Sequence, residues 1–262
     1  MRSVIRLLMV FILCGCSNYT DKEVQQTGDL RIVSLSPGIT NTLIDAGYTD
    51  FIVGRSAFCF HANQDIPVVG DLLNIDYERL LRLSPTHVFI QKTAAGADNH
   101  LVNVSAKMDV VLCVWPLDTI ADIQNMFSDI TELLGGERLQ LSIQPSQKQA
   151  IPQSVLVVTQ GLKGSAGLSF GKNTYVDDLL QMMGVTNALE RDGWISLSLE
   201  DIGRLNPGTI IVLSDSDIPD SSLKWLYSLG VSVIPFVHEH ALVPSSYVDD
   251  LALEFQKVVG GI

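Results

Sequence analysis

Short apolar runs alternate with amphipathic stretches in the first part of the chain. Four of these runs have the length of a buried strand: residues 31–35, 51–54, 87–91 and 110–115. Between them, residues 37–46 and 75–83 carry apolar positions at helical spacing. Strands that alternate with helices are typical of βα units, whose strands run parallel in one sheet. The first part of the chain is therefore predicted to form an α/β lobe.

A different pattern occupies the middle of the chain. Apolar residues recur at helical spacing over residues 118–141: Ile120, Ile123, Phe127, Ile130, Leu133 and Leu134. This spacing predicts one longer amphipathic helix. Gly135 and Gly136 interrupt the pattern, and Pro145 limits its end.

A second α/β block follows this helix. Its strands are predicted at residues 154–158, 209–213 and 231–236, and its helices at 174–183, 199–205 and 246–259. The predicted fold class is α/β, with two lobes that each have a mostly parallel sheet flanked by helices, joined by one long backbone helix. The predicted boundaries are 29–116 for the N-terminal lobe, 117–150 for the backbone helix and connection, and 151–262 for the C-terminal lobe.

An internal repeat supports two related lobes. Residues 75–90 align with residues 197–212 without a gap. Four identities fall at the same spacing in the two copies: Glu78 and Glu200, Arg82 and Arg204, Leu83 and Leu205, and Pro85 and Pro207. In each copy a predicted helix stops before a proline and leads into a buried strand. Such junctions are common in α/β proteins, so coincidence is the alternative to a structural correspondence.

The N-terminus has the pattern of an export signal. Arg2 and Arg6 precede an apolar run at residues 7–13, which is too short to span a bilayer. The run leads into Leu13-Cys-Gly-Cys16, which resembles the bacterial lipobox, whose last cysteine carries the lipid. We expect a lipoprotein signal peptide at residues 1–15, lipidation of Cys16, and a polar tether over residues 16–28 that reaches roughly 20 Å. The alternatives are an ordinary cleaved signal and an uncleaved anchor.

Charge and motifs narrow the function classes. The formal net charge is -12, which opposes a nucleic-acid partner because neutralising phosphates requires clustered basic residues. A small cationic or metal-bearing ligand, or a basic docking surface on another protein, is compatible with this charge. The chain contains no P-loop, His-Glu-x-x-His motif or dinucleotide fingerprint. These observations favour a binding protein over an enzyme.

Several short motifs occur in an order that resembles one family. They are Arg31-Ile-Val-Ser-Leu-Ser-Pro37, Val68-Val-Gly-Asp71, Gly171-Lys-Asn-Thr-Tyr-Val-Asp-Asp-Leu-Leu180, Gly193-Trp-Ile-Ser-Leu-Ser-Leu-Glu200 and Ala241-Leu-Val-Pro-Ser-Ser246. With them, the chain from residue 31 onward resembles the periplasmic substrate-binding proteins with a helical backbone. These are receptors of ABC importers for vitamin B12, iron-siderophores and haem, and the B12 receptors look closest. The backbone helix of that family is longer than the one predicted here, which puts the rigidity between the lobes in question.

The resemblance implies a function. A monomeric receptor would capture a corrinoid or another metal chelate between its lobes, at the carboxyl ends of the strands, and deliver it to an ABC permease dimer. The lipid anchor would hold it at the cell membrane, facing the periplasm or the cell exterior. The resemblance implies no resident cofactor or metal. Two alternatives stay open, a ligand-sensing lipoprotein without transport and a metal-dependent cleft enzyme.

The resemblance also assigns roles to the repeat. In the B12 receptors a glutamate on each lobe contacts arginines of the permease, and these positions match Glu78 and Glu200. The alternative role is a favourable charge in the first helical turn. Six residues before each glutamate the family commonly presents an aromatic side chain to the ligand. Trp194 occupies this place in the second lobe, whereas Leu72 occupies it in the first, which leaves the identity of the ligand open.

Two loops carry further candidate ligand contacts. Phe58, Phe60 and His61 follow the second strand, where the family loop reaches the cleft, and His240 follows the last strand. Although His238 and His240 would face the same way on an extended segment, two histidines form an incomplete metal site, so no metal site is predicted. The alternative for each histidine is an ordinary loop residue.

Two cysteines follow the predicted lipidation site. Cys59 and Cys113 could form a disulfide in an oxidising compartment. Cys113 lies inside an apolar strand, and we favour two free buried thiols over a bridge.

Overall fold

Two sheets flanked by helices form the protein. The computed structural model describes residues 30–94, 96–136, 140–143, 153–160 and 167–261. The predicted signal peptide, Cys16 and the tether lie outside these residues. None of the described helices has the length and apolar character that a membrane span requires.

The first sheet is fully parallel. Its strands are β1 (Ile32–Ser34), β2 (Ile52–Arg55), β3 (His87–Gln91) and β4 (Val111–Trp115), in the order β2-β1-β3-β4. The helices of this lobe are α1 (Pro37–Asp45), α2 (Tyr77–Arg82) and α3 (Asn99–Met108). Helix α3 was not predicted, because only Leu101 and Ser105 of this helix are buried and its apolar pattern is weak.

The second sheet is mixed. Strands β5 (Val155–Thr159), β8 (Thr209–Ser214) and β9 (Ser232–Val237) pair in parallel, as predicted. Two further strands, β6 (Leu168–Phe170) and β7 (Trp194–Ser196), add an antiparallel edge, which gives the order β7-β6-β5-β8-β9. These two were not predicted, since three residues are too few to show an alternating pattern.

Four helices flank the second sheet. They are α5 (Tyr175–Met182), α6 (Leu199–Leu205), α7 (Asp220–Tyr227) and α8 (Val248–Val259). Three of these were predicted within two residues, and α7 was missed. The predicted fold class, α/β with two lobes of mostly parallel sheet, is confirmed.

The helix between the lobes is shorter than predicted. Helix α4 (Ile120–Leu133) has 14 residues, so it is about 21 Å long. Thr119 and Asp122 form a capping box at its start. The predicted extension to residue 141 is wrong: Gly135 takes a positive φ of 82°, which ends the helix, and residues 140–143 are not helical.

One hydrophobic core runs through both lobes. Side chains of α4, including Ile123, Met126 and Ile130, lie in the same buried cluster as Phe89 of the first lobe and Tyr175 of the second. Polar contacts reinforce this junction. The Ile120 amide donates to Asp178 Oδ2 at 2.8 Å, and the Ser246 amide donates to Thr42 Oγ1 at 3.1 Å. The lobes therefore share a packed interface despite the short helix.

The internal repeat is a structural correspondence. In one copy α2 leads into β3, and in the other α6 leads into β8. Between helix and strand, Ser84 and Asn206 occupy the same position of the repeat and share a left-handed backbone, with φ of 45° and 46°. A residue in this conformation ends the helix and turns the chain toward the strand.

Candidate functional site

The packing of the lobes brings together two residues that were predicted to contact the ligand. The loop after β2 carries His61, and the loop after β9 carries His240. Their ring centroids lie 5.0 Å apart. Because both loops leave the carboxyl ends of parallel strands, the contact marks the side of the sheets where open α/β folds bind ligands. We call the space between the lobes on this side the cleft.

His240 is the more buried of the pair, at 9% exposed. Its ring stacks on Tyr247 with centroids 4.1 Å apart and a 6° angle between the planes. Its Nδ1 lies 3.4 Å from Asn41 Nδ2 of the first lobe. Burial lowers the pKa of His240, the charge of Glu239 raises it, and His61 and His238 lower it further. The neutral imidazole is therefore favoured in the folded protein.

His61, His238 and His240 lie near one another on this side of the sheets. Across the part of the chain that the structure describes, no three His, Cys, Asp or Glu side chains are grouped to hold a metal ion. His238 lies 5.8 Å from His240, ring to ring. The arrangement suits stacking and hydrogen bonding with an organic ligand.

Protonation of His240 should loosen the interface between the lobes. Its pKa in the folded state is below the ordinary 6.5, so the unfolded chain binds the proton more tightly, and stability falls as the pH drops through this range. We expect the wild-type melting temperature to fall by a few degrees more than that of His240→Gln between pH 7.5 and 5.5. Thermal melts of the two proteins at both pH values measure this. Equal pH dependence in both would contradict the prediction.

Trp194 and Leu72 have different surroundings. Trp194 lies on β7, half-buried, with its ring 4.4 Å from that of Phe170 and 5.9 Å from that of Tyr175. Leu72 is half-buried at a pocket of about 190 Å³ in the first lobe, whose lining includes Leu73 and Gln91. The roles of both in ligand binding remain predictions.

The loop after β2 exposes two aromatic rings on either side of a buried thiol. Phe58 is 56% and Phe60 72% exposed, whereas Cys59 is fully buried. The sulfur of Cys59 lies 3.0 Å from Thr40 Oγ1, and burial raises the pKa of this thiol. Cys59 and Cys113 are both free thiols in the structure. Burial, together with the charge of Asp129, raises the pKa of Cys113 to about 12.

Glu78 and Glu200 occupy equivalent exposed positions. Each is the second residue of its helix, and each pairs with an arginine four residues on, at 2.5 Å in both copies: Arg82 and Arg204. The C-terminus of each helix connects to the amino end of a parallel strand. The N-terminus of each helix, where the glutamate lies, therefore points toward the carboxyl edge of the sheet, on the same side as the cleft.

Sequence reasoning missed several residues of the site. Asn41 approaches His240 from a distant part of the chain, and Tyr247, seven residues after His240, stacks on its ring; neither contact has a local sequence pattern that indicates it. Arg55 offered a signal, because a charged residue directly after an apolar strand is unusual, and it proves to be buried. Residues 167–171 match the pattern Gly-x-Ser-x-Gly, but Ser169 lies in the middle of β6 and is fully buried. It is therefore not the exposed serine of a nucleophile elbow.

Comparison with known proteins agrees with the fold. The chain is 22% identical over 197 residues to the uncharacterized ABC transporter substrate-binding lipoprotein YvrC of Bacillus subtilis, covering 69% of this chain and 62% of YvrC, less than two thirds of its length. It is 22% identical over 225 residues to the high-affinity heme uptake system protein IsdE of Staphylococcus aureus, covering 80% of this chain and 75% of IsdE.

Solved structures have the same fold. The periplasmic vitamin B12 binding protein BtuF of Vibrio cholerae superposes with a TM-score of 0.68 at 16% identity, covering 88% of this chain and 98% of BtuF. The family model of the periplasmic binding proteins matches residues 32–225. Since this match covers most of the sequence, the chain belongs to the periplasmic binding protein family.

Proposed function

We propose that this chain is the lipid-anchored substrate-binding component of an ABC importer, which captures a corrinoid or iron chelate in the cleft and delivers it to the permease. The contact of His61 with His240 across the lobes carries this proposal. It joins loops from the carboxyl ends of two sheets, where a ligand held between the lobes would touch both. The names of YvrC, IsdE and BtuF support a transport role and span the heme and B12 ligands.

The aromatic side chains favour a large and partly apolar ligand. Phe58 and Phe60 offer exposed rings in the first lobe, and Trp194 offers a stiff indole in the second. Flat rings of this size suit the faces of a macrocycle. His61 and His240 add hydrogen-bonding groups. A bare inorganic ion would make no use of this apolar surface.

Glu78 and Glu200 support delivery to a two-subunit permease. They lie in equivalent turns of the two repeat copies, so the receptor offers one carboxylate per lobe. Two separated carboxylates that meet basic sockets fix orientation as well as affinity. Lipidation at Cys16 and the tether of residues 16–28 would keep the protein exported, at the membrane and beside its importer. In this proposal the protein binds and releases its ligand without catalysing a reaction.

Titration of the de-lipidated protein with hemin, cyanocobalamin and a ferric hydroxamate siderophore tests the function. We expect one of these chelates to quench tryptophan fluorescence. In Trp194→Ala we expect its affinity to fall by about tenfold, because the ligand loses an aromatic contact. Trp225→Ala, which changes a half-buried tryptophan of α7, is the matched control and should keep the affinity.

Two outcomes would overturn parts of this proposal. Absence of binding to all three chelates would exclude the ligand class. Chemical conversion of a bound chelate would show that the protein is an enzyme.

A further inference from the structure

Arg55 is a buried cation without a carboxylate partner among the described residues. It ends β2 and is 5% exposed. Its Nη1 donates to the carbonyl of Ser56 at 3.2 Å, and its Nη2 donates to Oε1 of Gln64 at 2.8 Å. Its Nε is buried and, within the same residues, has no hydrogen-bond partner. A guanidinium that cannot lose its proton is costly to bury in this way, so the arrangement calls for an explanation.

Gln64 connects this cation to the aromatic loop. Its Nε2 lies 2.7 Å from the carbonyl oxygen of Ala62, 3.0 Å from that of Phe60 and 3.5 Å from that of Cys59. One carboxamide therefore reaches three carbonyl oxygens within four residues of a loop that belongs to neither helix nor sheet. Arg55 fixes the oxygen of the carboxamide and so orients its nitrogen toward these carbonyls.

The same loop carries the candidate ligand contacts. Phe58 and Phe60 project outward on either side of buried Cys59, and His61 reaches His240 of the other lobe. Exposed aromatic side chains on an unsupported loop would sample many conformations, and a ligand would have to order them at a cost in affinity. The loop is instead held by two side chains, Arg55 and Gln64, whose polar atoms bond to each other and to the loop backbone.

We propose that Arg55 and Gln64 are positioning residues, which hold the loop of residues 57–63 so that Phe58, Phe60 and His61 stand in the cleft before the ligand arrives. This inference rests on the proposed function for its purpose. Its physical content, a loop ordered through Gln64, holds in the protein without ligand. The buried charge of Arg55 is therefore used to orient a neutral amide.

Gln64→Glu separates the two interactions of Gln64, the bond it accepts from Arg55 and the bonds it donates to the loop carbonyls. The substitution keeps an oxygen acceptor for Arg55 and adds a charge opposite to it, but it removes the N–H groups that reach the three carbonyls. If Gln64 served only to satisfy Arg55, this variant would be at least as well ordered as the wild type. The proposal predicts the opposite. Gln256→Glu, an exposed change of the same kind on α8, is the control.

Chymotrypsin cleavage after Phe58 and Phe60 in the unliganded protein measures the order of the loop. We expect Gln64→Glu to be cut about tenfold faster than wild type, with Gln256→Glu unchanged, because cleavage follows the population of the open loop. The urea midpoint of the whole protein should stay the same. Unchanged cleavage would overturn the proposal, and so would a parallel fall in the midpoint, which would show a general structural role.

Affinity for the chelate that wild type binds gives a second measure. We expect Gln64→Glu to bind it about tenfold more weakly, since part of the unliganded population no longer presents the aromatic side chains. Wild-type affinity in this variant would overturn the proposal. If wild type itself binds none of the three chelates, the proposed function fails, and the cleavage experiment still decides the role of Gln64.

Discussion

Reversing the charge of both Glu78 and Glu200 should abolish capture of the permease. Both carboxylates are exposed at equivalent sites of the repeat, and each is already oriented by an arginine of its own helix. An arginine at these positions would repel the basic sockets expected on the permease and also the neighbouring Arg82 or Arg204. We expect docking of Glu78→Arg/Glu200→Arg to weaken by at least about a hundredfold. Recovery of ABC permease subunits with the receptor from native membranes, by quantitative mass spectrometry, measures this.

A matched pair of reversals separates docking from net charge. Asp50→Arg/Glu254→Arg makes the same change in charge at two exposed acids. Asp50 precedes the amino end of β2, so it lies away from the carboxyl edge. This control should recover the permease at the wild-type level. Equal loss in both variants would reduce the effect to net charge, and undiminished recovery with the first would exclude a docking role for the two glutamates.

Gly38→Ala should separate the lobes. Gly38 lies in α1, where an added Cβ would stand 2.2 Å from the carbonyl oxygen of Pro244 in the second lobe. Neither backbone can absorb such an overlap, so α1 and the segment before α8 must move apart. We expect a loss of about 3 kcal/mol in stability, at the upper end of overpacking effects. The contact of His61 with His240 should also loosen.

Urea unfolding followed by circular dichroism measures the stability of Gly38→Ala. The control is Gly203→Ala in α6, where an added Cβ meets no atom within 4 Å and φ is not positive. That substitution should raise the midpoint, because it reduces the freedom of the unfolded chain at a helical position. A midpoint for Gly38→Ala equal to wild type would mean that the lobes do not approach each other this closely.

The sequence predicted the elements that have a strong local pattern. Buried parallel strands such as β3 and β8 are nearly continuous apolar runs, and they were located within one residue. Strands β6 and β7 have three residues each, and their position depends on the pairing of β6 with β5 and of β7 with β6, which no local pattern encodes. The end of α4 was misjudged for a related reason. Whether a glycine pair interrupts or terminates a helix depends on the packing around it.

In the candidate site, too, features with a sequence pattern were predictable and features that depend on packing were not. The equivalence of Glu78 and Glu200 was predictable, because the repeat aligns them without any knowledge of the fold. The meeting of His61 with His240 was not, since it depends on how two lobes pack. The link from Arg55 through Gln64 to the loop was also missed, because backbone carbonyls accept the bonds and carbonyls leave no trace in a sequence.

If the protein is the receptor proposed above, the shared core affects how a permease could recognise the loaded form. Opening the lobes like a hinge would expose apolar surface around α4 and break the contacts between α1 and the segment before α8. The empty and the loaded protein should then have nearly the same outline and the same spacing between Glu78 and Glu200. A permease that binds both glutamates could not distinguish the two forms by the distance between them. The permease would then have to recognise the loaded protein through direct contact with the exposed face of the bound ligand.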